Sequence, residues 1–160
     1  MRFKKGLFLN PGVTATELII LIAVLAIIAA VAMPSFIGTL KKQRIDAAAR
    51  HLVSDLRLAQ SNAVSAGKRY RVLFNSSNVN QYKMQMEVSS NNWQDVTGWT
   101  DISSTYTGVS VQSAPPSPYD VKFNTRGALD GTATITITIR DSSGTTRNIV
   151  VMTTGKVSIS

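Results

Sequence analysis

Sixteen consecutive residues, Leu18 to Met33, carry no charge and no strongly polar side chain, and one carboxylate, Glu17, stands immediately before them. Extended back to Val13, the stretch is interrupted only by Thr14, Thr16 and Glu17. At 1.5 Å per residue such a helix spans a hydrocarbon layer of ~30 Å. Any structure for this chain must therefore give one long apolar helix a non-aqueous environment, and must accommodate an acid at its mouth.

The 160 residues leave room for one compact domain beside that helix. With no cysteine there is neither a disulfide framework nor a thiolate metal site. The formal charge of +8 includes Arg2, Lys4 and Lys5; without them the chain is mildly basic, compatible with anionic partners and no proof of one.

Three arrangements compete for the apolar run. A cleaved secretory signal has support from the basic start and from Ala30-Val31-Ala32 as an A-x-A-like site. Its apolar stretch is longer than usual, and Glu17 would be gratuitous in a discarded peptide. A plain membrane anchor, with the basic N-terminus in the cytoplasm, explains the span and leaves the acid unexplained. In the third arrangement a cut after Gly12 gives Val13 a new α-amino group, with Glu17 one turn away near the positive end of the helix dipole. The carboxylate can then pair with an amine on its own chain or on a neighbour's.

Lys4-Lys5, Gly12 before the apolar run, Glu17 as the fifth residue after that glycine and Pro34 as the twenty-second resemble the N-terminal signature of type IV pilins and of the pseudopilins of type II secretion. Val13 stands where the family more often has Phe, and Ala15 and Thr16 replace bulkier apolar residues. The resemblance implies cleavage after Gly12 by a prepilin peptidase, N-methylation of Val13, and a role for Glu17 in neutralising the amino terminus of a neighbouring subunit during assembly. It also implies a single-pass bacterial inner-membrane protein with its C-terminal domain in the periplasm, later part of a pilus or pseudopilus.

Pro34 is expected to kink or loosen the helix where the chain leaves the bilayer. Helical periodicity then resumes: Ile45, Ala49, Leu52, Leu56, Ala59, Ala63 and Ala66 form one apolar seam, with Lys42, Asp46, Arg50, His51 and Asp55 on the opposite flank. Gly67 is the expected stop. From Tyr70 the period changes to two, predicting strands through Tyr70–Phe74 and Tyr82–Val88. A turn-rich stretch from Ser89 to Ser117 is expected to hold short strands at Trp93–Val96 and Val109–Val111. Strands at Tyr119–Asn124, Ala133–Arg140, Arg147–Met152 and Lys156–Ile159 are expected to form an antiparallel meander, with hairpin turns at Asp130-Gly131 and Asp141–Gly144.

The expected fold is α+β: a long N-terminal helix, transmembrane in its first half and amphipathic in its second, packed on an antiparallel β-sheet domain. The expected segments are a leader at 1–12, a transmembrane half-helix at 13–40, an amphipathic helix at 41–67 and a β domain at 68–160. The pieces Ala48-Ala49-Arg50-His51-Leu52, Leu56 to Gln60, Ala63, Gly67, Val121-Lys122-Phe123 before Gly127, the strand ATITITIR and Gly155-Lys156-Val157 are similar, in this order, to the GspH/FimT-type minor pilins and pseudopilins. That family commonly has Arg where Gln60 stands. The partners it implies are other pilin or pseudopilin subunits, the prepilin peptidase and the inner membrane, with incorporation at or near the tip of a type IV pilus or type II secretion pseudopilus.

Neither catalysis, a cofactor nor a metal is expected. His51 is the only histidine and belongs to a solvated helix flank, and the acidic turns lack the ligand density of a calcium loop. The rival function is DNA uptake, as in some FimT-type pilins, through a basic surface of Lys68, Arg69, Arg71, Lys122, Arg126, Arg140, Arg147 and Lys156. DNA-binding relatives are expected to carry glycine-arginine-x-arginine near the C-terminus. Here Gly155-Lys156-Val157-Ser158 keeps one cation, and lysine lacks the planar fork that grips phosphate.

Overall fold

In the computed structural model, which describes residues 12–116 and 119–160 apart from the side chains of 31–35, a threonine hydroxyl closes the N-terminus of the first helix. Thr14 Oγ1 accepts from the Glu17 N–H at 3.2 Å, and the Thr14 carbonyl accepts from Leu18. Helix α1 follows as Ala15–Ala66. Gly67, with φ of 61°, takes the left-handed conformation that ends helices.

The chain divides into two units, Met1–Gly38 and Thr39–Ser160. In the first, Leu18, Ile19, Ile20, Leu21, Ile22, Val24, Leu25, Ile27 and Ile28 are all exposed, so the helix is apolar around its whole circumference. Among the described residues no helix is long and apolar enough to cross a membrane. The expected span includes residues 31–35, whose side chains, Pro34 among them, lie outside the described set, as does the leader through residue 11.

In the second unit Ile45, Ala48, Ala49, Leu52, Leu56, Ala59 and Ala63 are fully buried and share one core with two antiparallel sheets. The expected seam is present except at Ala66, which is exposed in the last turn before Gly67. The first sheet contains β1 (Tyr70–Phe74), β2 (Gln81–Ser89), β3 (Asn92–Asp95), β4 (Thr100–Asp101) and β6 (Asp120–Phe123), in the order β3-β2-β1-β6 with β4 beside β2. The second contains β5 (Val109–Ser113), β7 (Ile135–Asp141), β8 (Thr146–Val151) and β9 (Val157–Ile159), in the order β5-β7-β8-β9.

The last four strands therefore do not form one meander. β6 pairs with β1, Tyr70 opposite Phe123, while β7, β8 and β9 follow one another in the other sheet. The reason lies in the segment after β6. Asn124 Oδ1 accepts from the N–H groups of Arg126 and Ala128, Gly127 turns at a φ of 79°, and Leu129 bridges back to Phe123 and donates to the Thr153 carbonyl. This connection crosses between sheets, and Asp130-Gly131 belongs to it rather than to a hairpin. The β7–β8 connection is the expected tight turn, closed by Asp141 Oδ1 accepting from the N–H groups of Ser143 and Thr145. The turn-rich stretch also holds α2 (Ile102–Thr105), capped by the Asp101 carboxylate and anchored by buried Ile102.

Candidate assembly site and charged surfaces

In the first unit, Val13, Ile20, Leu21 and Val24 surround Glu17 in a shallow apolar groove. Glu17 occupies the third position of the helix, where a carboxylate meets the unsatisfied N–H groups and positive end of the helix dipole. Thr14-x-x-Glu17 has the spacing of a capping box, of which the Thr14 half is made. The local fold thus explains why an acid is tolerated here. Gly12 is different, because a Cβ on it would meet nothing within 4 Å. No contact in the described structure requires that residue to be glycine.

In the second unit α1 is tied to both sheets by polar contacts along its length. Asp46 pairs with Arg147 of β8 at 2.7 Å, and Asp55 accepts from the buried Tyr82 hydroxyl of β2. Burial, and then the hydrogen bond to Asp55, push the Tyr82 phenol well above its ordinary range, so it stays a donor. His51 lies 3.7 Å from Asp55 and edge-on to Tyr106, on the partly exposed flank where it was expected. Gln60 Nε2 donates to the carbonyls of Gly127 at 2.6 Å and Gly155 at 3.0 Å, joining the helix to the crossing segment and to the β8–β9 turn.

The outer face of the first sheet carries a polar ladder. Arg71 donates to Asp120 at 3.0 Å and to Gln85 Oε1 at 2.7 Å while its guanidinium lies 4.2 Å from the centre of the Trp93 ring. Gln85 donates on to Asp95, which also receives Lys83, and Lys83 lies over Trp99. Arg69 binds Glu87 through two nitrogens and reaches Asp130 at 3.1 Å. The hydrogen bonds from Arg69 hold Glu87 below the usual carboxylate range, and those from Lys83 and Gln85 do the same for Asp95.

These contacts bear directly on the expected basic surface. Arg69, Arg71, Lys122 and Arg147 each have an aspartate or glutamate partner. Arg140 is exposed on the face of β7 opposite buried Ile137 and Ile139, whereas Arg147 turns inward to α1. Lys68, Arg126 and Lys156 are exposed at the end of α1, in the 124–128 turn and before β9. The eight cations do not gather into one unpaired patch.

Among the described residues no group of three or more His, Asp or Glu is placed to hold a metal ion. What this arrangement offers is an exposed apolar helix with one acid in its first turn, joined in sequence to a helix and two sheets sharing one core. The model of the family described as type II transport protein GspH matches residues 48–155. The chain belongs to the GspH family. The matched span runs from the buried Ala48 of α1 to Gly155, the residue held by Gln60.

Solved structures agree in fold. The crystal structure of the type IV minor pilin FimU of Pseudomonas aeruginosa superimposes with a TM-score of 0.60 at 16% identity, covering 74% of this chain and 90% of the chain in that structure. The structure of the minor pseudopilin EpsH of the Vibrio cholerae type 2 secretion system gives 0.57 at 12% identity, covering 73% of this chain and 96% of the chain in that structure. No curated protein is significantly similar in sequence. The α+β arrangement of a helix packed on antiparallel sheets is thus the pilin-like one.

Proposed function

We propose that this GspH-family chain is a minor pilin or pseudopilin subunit with no catalytic role. It is made as a single-pass inner-membrane precursor, cut after Gly12 and methylated on Val13, and then incorporated at or near the tip of a type IV pilus or type II secretion pseudopilus. The observation that carries the reading is a helix apolar on every side with Glu17 in its first turn. Such a helix requires burial in lipid or among other helices. A carboxylate at its entrance suits an amine brought there by a neighbouring copy.

Segment by segment, residues 1–12 act as the leader, 13–40 as anchor and later filament core, 41–67 as the helix that bears the domain, and 68–160 as the β domain that meets other subunits. Pro34 serves as the joint between anchor and domain. DNA uptake is the weaker reading, since four of the eight cations assigned to it are neutralised by carboxylates.

The test is the intact mass of the full chain extracted from membranes of cells with an active prepilin peptidase. A species beginning at N-methylated Val13 is expected. A species beginning at Met33 would indicate ordinary signal cleavage, and an uncut chain a simple anchor; either result defeats the proposal.

A further inference from the structure

The four-stranded sheet ends at β9, and the outer edge of that strand faces α1 across a groove of about 410 Å³ lined by Arg50, Val53, Ser54, Arg57, Ser158 and Ile159. The hydrogen-bond alternation of an antiparallel pair fixes which groups look into it. Asn148 and Ser160 exchange both backbone bonds, so Val150 and Ser158, two residues along each strand, form the next bonded pair. The N–H and C=O groups of Val157 and Ile159 therefore turn away from β8. Arg57 Nη2 confirms the direction by donating to the Val157 carbonyl at 3.0 Å.

The two arginines differ from the three that the polar contacts above neutralise. Arg69, Arg71 and Arg147 each have a carboxylate partner. Arg57 spends one N–H on a backbone carbonyl, and Arg50 makes no hydrogen bond or ion pair among the described residues. They lie two turns apart on one helix face, ~10 Å along the axis. Ile159 is 40% exposed beside them, an apolar side chain at a strand edge.

We infer that this groove is a docking slot for an extended acidic segment of a partner protein, which adds as a strand to β9 while its carboxylates engage Arg50 and Arg57. An open strand edge supplies main-chain partners, and a flanking helix supplies selectivity, as in other recognition by strand addition. Arginine forms charge-assisted, often bidentate bonds with carboxylates, so acidic side chains are favoured over neutral ones. In the free chain Arg57 occupies the Val157 carbonyl and guards the edge; a docking strand takes over that acceptor and leaves the guanidinium for its own carboxylate. The slot lies wholly within the second unit and does not depend on the processing proposed above.

The test uses the full chain in detergent and a fluorescein-labelled eight-residue peptide of alternating Val and Glu, with Val-Gln and Val-Lys versions as controls. Anisotropy should show binding of the Glu peptide, weakened about tenfold by Arg50→Ala and more by the Arg50→Ala/Arg57→Ala pair. Arg50 is exposed and has no hydrogen bond or ion pair to lose among the described residues, so its variant keeps the fold. Ile159→Pro, which removes an outward N–H from an edge position where proline is tolerated, should abolish binding while leaving both arginines in place. Amide NMR shifts on titration should centre on Val157 and Ile159.

No binding up to about 1 mM overturns the proposal, as does equal affinity for the Glu and Gln peptides. Binding unaffected by Ile159→Pro overturns strand addition. A duplex oligonucleotide that binds more tightly than the Glu peptide, with the same loss on Arg50→Ala, overturns the assignment of a protein partner in favour of a phosphate one.

Discussion

Gly155 lies so close to Gly127 that a Cβ on Gly155 would meet the Gly127 carbonyl oxygen at 2.0 Å. Gly155 also has a φ of 89°, and Gln60 bridges the two glycine carbonyls from α1. Gly155→Ala combines a backbone clash with a disfavoured conformation, and should destabilise the domain by at least about 3 kcal/mol. Gln60→Ala leaves two carbonyls short of a donor and should cost about 1–3 kcal/mol. Urea denaturation of the two variants checks both the size and the order of the effects.

Arg71 covers Asp120, which is only 7% exposed, and holds Gln85 and the Trp93 ring in the same contact. Arg71→Met keeps the stem and removes the charge. A loss of about 2 kcal/mol is expected, because a buried carboxylate is left with only Lys122 at 3.5 Å. Arg71→Met/Asp120→Asn should recover part of that loss, and a double-mutant cycle measures the coupling.

Acid should weaken the domain through a set of carboxylates that folding makes stronger acids. Hydrogen bonds led by the Ser103 hydroxyl lower Asp101, and those from Arg69 and from Lys83 lower Glu87 and Asp95. At Asp141 burial is the largest influence and acts upward, but the bonds from Ser143, Thr145 and Gly144 together outweigh it. Each folded-state value lies below the unfolded one. The stabilisation is therefore complete above the unfolded range near pH ~4 and is lost as pH falls through the depressed values. Melting temperature should be nearly flat from neutrality to about pH 5 and fall steeply below pH ~4, less steeply in Asp101→Asn.

Thr14 and Glu17 share one helical turn and should separate in function. Thr14→Ala removes the hydroxyl that caps Glu17 N–H and should cost local helix stability of about 1 kcal/mol without blocking assembly. Glu17→Ala should be processed and yet fail to enter filaments. Immunoblots of sheared filament fractions against membrane fractions distinguish the two, and normal incorporation of Glu17→Ala would remove its pairing role.

Much of this architecture is legible in the sequence because it is written in local periods. The three-and-four spacing from Ile45 to Ala63 gives the buried helix face, and the alternation of β1, β2, β7 and β8 gives strands with one inward side. Partition into two sheets is not local: β6 alternates as well as β7 does, and only the fold decides that Phe123 lies opposite Tyr70. The ion pairs are illegible for the same reason, Arg147 meeting Asp46 from 101 residues away. Gln60 gave no sign that it would clamp two turns. The Thr14 cap did leave a signal, in the Thr-x-x-Glu spacing.

With that cap in place, the proposed cleavage after Gly12 would be an electrical event. While the Gly12–Val13 bond is intact, Val13 contributes a neutral amide just ahead of Thr14, and the end of α1 carries only its fractional dipole charge, offset by Glu17. A cut after Gly12 would place a full cation there, so that one carboxylate faces both its own terminus and the dipole. The mature helix end would then be short of negative charge, and a second copy's Glu17 could make up the deficit, so that proteolysis itself would create the demand that the next subunit answers.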